Sequence, residues 1–121
     1  MESKGKKHWF IPDGYIPEQS SGEVESHEAI CVLNCHSEPA HLSMTIYFED
    51  REPLDKVSET IPGRRTKHIR TNSLHNSENR RIPVGVPYAL EITSDRPVII
   101  QYSRLDSSQK ALALMTTIGY A

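Results

Sequence analysis

The sequence predicts an all-β fold: a small antiparallel β-sandwich of about seven or eight strands, jelly-roll or Greek-key-like, in one domain. Three observations point there. In "AHLSMTIYFED" (40–50), Leu42, Met44, Ile46 and Phe48 alternate with His41, Ser43, Thr45 and Tyr47, the period of two of a half-buried strand. Short segments of this kind are punctuated by Pro, Gly and Asn, with no long helical pattern between them. The chain has 121 residues, 36% hydrophobic and 25% charged, enough for one soluble core.

The elements follow in order. Residues 1–8 read as a flexible basic arm ahead of a single domain at 9–121. In "WFIPDGYIP" (9–17), Pro12 and Pro17 bracket Asp13-Gly14; proline limits strand pairing and Asp-Gly favours a turn. "EQSSGEVES" (18–26) is polar and loop-like. "EAICVLNCH" (28–36) is apolar on both faces, as in a central strand covered on both sides or lying at a subunit interface. After 40–50, "EDREP" turns the chain and "KVSETIP" (56–62) forms a shorter strand. "RRTKHIRTN" (64–72) is a candidate strand poor in apolar residues, and "SLHNSENRR" (73–81) is a loop. "YALEITS" (88–94) and "PVIIQYSRL" (97–105) are two further strands. "DSSQKALALMTTIGYA" opens with one turn at 107–110 and ends in a last strand.

Composition narrows the function classes. No apolar run reaches the ~18 residues needed to span a bilayer. The leading MESKGKK lacks the apolar stretch of a secretion signal, so a cytoplasmic protein is the expectation. Cys31 and Cys35 lie four apart on one strand face, roughly 13 Å, too far to bridge; two buried thiols are expected. Net charge is −2, yet its distribution is uneven. Asp13 to Glu59 holds eleven acids and two bases, whereas Arg64 to Arg81 holds six Lys/Arg and one acid. Such polarity suits complementary surfaces or subunit contacts.

Catalytic signatures are missing. The chain contains no G-x-S-x-G elbow, P-loop or G-x-G-x-x-G, and no cofactor is expected. "HEAIC" places Cys31 where a zinc protease has its second histidine. His27, Glu28, His41 and His68 could hold a metal only by clustering in three dimensions, and no metal site is assigned. The candidates are therefore binding residues. Arg64, Arg65, Lys67, His68 and Arg70 form a basic strand. It serves as a solvated edge that discourages aggregation, as a partner of the acidic segment, or as a phosphate or nucleic-acid contact. Trp9, Tyr15, His27, Gln101, Arg104 and Asp106 are the ligand candidates. Trp9 and Tyr15 either pack or stack on a sugar ring, and Arg104, on the core side of its strand, needs an ion-pair partner.

Six blocks in order, "DGYIP" (13–17), "SHEAICVLN" (26–34), "TIYFEDREP" (45–53), "RRTKHIR" (64–70), "PVIIQYSRLD" (97–106) and "TTIGYA" (116–121), resemble the sensory rhodopsin transducer family. The resemblance implies a non-enzymatic cytoplasmic adaptor, a β-sandwich assembling as a homotetramer. Its partner would be a membrane photoreceptor, met at the cytoplasmic face without membrane insertion. DNA binding is proposed for that family, and its sandwich is similar to carbohydrate-binding folds. The alternatives are thus a DNA-binding regulator acting through 64–70 with the N-terminal lysines, and a carbohydrate or small-ligand module.

Overall fold

The computed structural model describes residues 4–16, 27–106 and 113–118. Seven antiparallel strands run along these residues: β1 Lys6–Gly14, β2 His27–Asn34, β3 Ala40–Phe48, β4 Leu54–Ile61, β5 Arg65–Arg70, β6 Tyr88–Asp106 and β7 Ala113–Ile118. A 3-10 turn at Thr71–Ser73 follows β5. The predicted all-β class holds.

The 19-residue β6 organises the fold. Its first half pairs with β3 on one side and β1 on the other, since Ile92 faces both Met44 and Trp9. Its second half pairs with β2 and β7, where Gln101 faces both Cys31 and Ile118. Each half therefore carries four strands abreast, β4-β3-β6-β1 and β5-β2-β6-β7. The sheet curls along β6 and encloses one core.

Two separate strands were expected at 88–94 and 97–105. They are one strand, and Pro97 explains why a break is not needed. Pairing with β3 ends at Ser94 and pairing with β2 begins at Ile99. Pro97 thus occupies the gap where no ladder bond is lost for want of an N–H. Trp9 braces this bend: its Nε1 donates to the carbonyls of Lys6 and Val98, each at 3.0 Å.

The start of the chain also differs from expectation. Lys6, Lys7 and His8 belong to β1, so the arm reading fails for them; residues 1–3 lie outside the described residues. The strand continues through Pro12, where a register shift between Ile11 and Gly14 spares the ladder. Residues 17–26 and the expected turn at 107–110 also lie outside the described residues.

Along β6, Tyr88, Leu90, Ile92, Ser94, Val98, Ile100 and Tyr102 are buried on the inward side, and Arg96 among them is half-exposed. Ile30 and Val32 from β2 and Leu42, Met44 and Ile46 from β3 meet them in one core cluster. On β4 the alternation slips at Lys56, which has φ 64° and lies within a register irregularity, so Leu54, Val57 and Ile61 still point inward. The outer side of β2 is only partly covered: Ala29 is buried, Cys31 is half-buried and Leu33 is exposed. Both thiols are free and half-buried rather than buried.

Candidate partner-binding surface

The basic segment is presented by a polar knot at the end of β2. Asn34 is fully buried, and a buried amide is costly unless bonded. Its Nδ2 lies within 2.9–3.4 Å of the carbonyls of Glu38, Ile61 and Pro62, and its Oδ1 accepts the His36 N–H. One side chain thereby ties the β2–β3 turn to the β4–β5 turn. Gly63 completes the contact, because a Cβ there would stand 2.0 Å from the Ser37 carbonyl oxygen. Arg64 then takes φ 53° and donates its N–H to the His36 carbonyl at 2.8 Å.

From that anchor β5 runs as the end strand of its sheet, paired with β2 from Asn34↔Arg65 to Ala29↔Arg70. Ile69 enters the core, while Arg64, Arg65, Thr66, His68 and Arg70 are exposed. Lys67 is the exception among the bases. It turns toward β4, where Nζ lies 3.1 Å from Glu59 Oε2 and donates to the Thr60 carbonyl. The pairing expected between the basic and acidic segments thus exists within the chain for this one residue. Among the described residues, none of Arg64, Arg65, His68 and Arg70 has a carboxylate partner. Four basic side chains share one solvent-facing edge.

The ligand candidates do not gather. Trp9 is in the core, with no ring face open for stacking. Tyr15 is exposed beyond the end of β1, and Gln101 is exposed on the outer side of β6. His27 begins β2, opposite Leu105. Arg104 stands in register with Glu28, and Asp106 ends β6. A cleft of about 330 Å³ between Asp13, Tyr47, Phe48 and Tyr88 includes none of these six. Among the described residues no group of three His, Cys, Asp or Glu could hold a metal ion, and no helix is long and apolar enough to cross a membrane.

A polar centre that sequence reasoning missed lies inside the sheet. Glu28 is buried, and its Oε1 accepts the Tyr15 N–H at 2.7 Å, the Tyr88 hydroxyl at 2.7 Å, and the Tyr102 hydroxyl. Thr71 Oγ1 stands 2.9 Å from the Tyr88 hydroxyl. Burial pushes both phenols well above their ordinary range, so they remain protonated donors. The available signal was a pair of tyrosines at inward positions of one strand, since buried hydroxyls require partners.

The family model described as Anabaena sensory rhodopsin transducer matches residues 4–121. The chain belongs to the sensory rhodopsin transducer family. Among solved structures, the Anabaena sensory rhodopsin transducer is 41% identical with a TM-score of 0.77, covering 88% of this chain and 93% of that one. The crystal structure of Thermotoga maritima 1070 is 38% identical with a TM-score of 0.83, covering 96% and 94%. No curated protein matches. The sensory rhodopsin transducer family is one of transducer proteins and not a known enzyme family, and membership supports a transducer-like adaptor role.

Proposed function

We propose that this chain is a non-enzymatic cytoplasmic signalling adaptor, homo-oligomeric and tetrameric in its working form, that docks on a membrane receptor through the β5 edge. The observation that carries the docking site is the set of outward bases at Arg64, Arg65, His68 and Arg70, free of carboxylate partners among the described residues. A braced strand needs little backbone ordering on binding, although each exposed arginine still loses rotamer freedom, and opposite charge on the partner raises the encounter rate. The cytoplasmic leaflet supplies anionic headgroups around any receptor, a favourable setting for such an edge. The partner class follows from the family: one relative is named as the transducer of a sensory rhodopsin. A photoreceptor or another membrane protein is the expected partner. Leu33, exposed beside Cys31 on the outer side of β2, supports self-association.

The test uses detergent-solubilised membranes from the source organism, with the intact chain and its Arg65→Glu/Arg70→Glu variant as baits at low salt. A membrane protein retained by the first and released by the second is the expected result. Equal retention by both would remove β5 from the docking site. The same edge supports a second reading, because unpaired exposed cations are also what duplex phosphates require. A labelled random duplex should then bind the intact chain with steep salt dependence, and no membrane protein should be retained.

A further inference from the structure

Away from β5, a second cavity of about 240 Å³ opens between the β3–β4 turn and the segment leading into β6. Three arginines, Arg51, Arg80 and Arg81, are among its lining residues. Arg51 lies over the Phe48 ring, 5.7 Å from its centroid, and is tied only to the adjacent Asp50 at 2.9 Å. Arg81 donates to the Asn72 carbonyl at 3.3 Å. Arg80 has no carboxylate partner among the described residues.

The two consecutive arginines are positioned by a built turn. Asn76 Oδ1 accepts the N–H groups of Glu78 and Arg80, each at 3.0 Å, and the Asn76 N–H donates to the Arg80 carbonyl at 3.2 Å. Asn79 adopts φ 61° to close it, and His75 bridges Arg81. Asp50 offsets Arg51 and Glu52 shares the lining, so the cavity keeps a net positive charge from Arg80 and Arg81 that favours an anion, and guanidinium forks match phosphate oxygens in pairs. Glu52 adds an acceptor at the rim, suited to a hydroxyl, and Phe48 with Pro53 and Pro83 supplies an apolar wall. The volume lies below the ~300–1,000 Å³ typical of drug-sized ligands, which favours a compact molecule.

We propose that this cavity binds a small phosphomonoester carried on a hydroxylated carbon frame, with Arg51, Arg80 and Arg81 on the phosphate and Glu52 on a hydroxyl. The site is separate from the β5 edge and does not rest on the adaptor reading.

Calorimetric titration of the full chain with glucose 6-phosphate, inorganic phosphate, glucose and a short DNA duplex tests it. The expected order is glucose 6-phosphate first, inorganic phosphate weaker, and no binding of glucose. Arg80→Gln and Arg81→Gln should each weaken the ester roughly tenfold, the loss of one charge-assisted contact. Glu52→Gln should affect glucose 6-phosphate but not phosphate. Arg96→Gln, which removes the same charge elsewhere, should leave both affinities in place. Absence of ester binding, glucose binding as well as its phosphate, indifference to both arginine variants, or a response to duplex alone would each overturn the assignment.

Discussion

The Tyr88 hydroxyl lies 2.7 Å from Glu28 Oε1, across 60 residues of sequence. This bond joins β2 to the first half of β6, while Tyr102 joins the same oxygen from the second half. One buried carboxylate therefore spans the curl of the sheet. Removing it takes the shared acceptor from the Tyr15 N–H and from both phenols, which keep only each other and Thr71. Glu28→Ala should cost about 3 kcal/mol or more, read by urea unfolding; a loss below 1 kcal/mol would show that the network contributes little.

Alkaline pH should expose the same network. Both phenols are raised above their ordinary value of 10.0 by burial, so above that pH the unfolded chain releases protons that the folded chain keeps. Their contribution is complete below pH ~10 and falls as pH rises, by about 1.4 kcal/mol per pH unit for each tyrosine. Stability of Tyr88→Phe/Tyr102→Phe should decline less steeply between pH 10 and 11.5 than that of the intact chain. Parallel declines would contradict the argument.

Gly14 makes room for Tyr88. A Cβ at that position would meet the Tyr88 ring at 2.3 Å, so Gly14→Ala should act as overpacking and cost about 1–3 kcal/mol. The near-ultraviolet dichroism of the tyrosines should change with it, and an unchanged melting curve would count against the contact.

Asn34→Ala should lower stability by about 2–3 kcal/mol, because buried carbonyls at both turns lose their donor. Amide exchange at Arg64 should accelerate by more than the change in global stability alone requires. If all amides shift equally, the knot does not specifically brace β5.

The Lys67–Glu59 pair makes a weaker claim. Its side chains are 42% and 23% exposed, so Lys67→Ala should change stability by less than about 1 kcal/mol. A much larger loss would mean that the pair is shielded from solvent.

Much of the fold was legible because strand alternation is a local property. The phase of Leu42, Met44 and Ile46 and that of Tyr88, Leu90 and Ile92 fixed which side chains enter the core. Pro97 misled for an equally local reason: proline ends a strand unless the pairing has a gap, and the gap is created by β2 and β3, distant in sequence. Lys6–His8 read as an arm because their charge concealed a strand whose inward residues begin at Trp9. The candidate site was legible as composition only. "RRTKHIR" announced a basic strand but not that Lys67 would turn to Glu59 while its neighbours stayed unpaired.

Sequence alone determined the all-β class, most of the core and the family, since these rest on period, punctuation and collinear blocks. Tertiary structure decided the continuity of β6, the Asn34 knot, the Glu28 centre with its two tyrosines, and the meeting of Arg51 with Arg80 and Arg81. Each of these joins residues whose partners are set by how the sheet curls, and no local pattern encodes a contact closed by strands far apart in the chain.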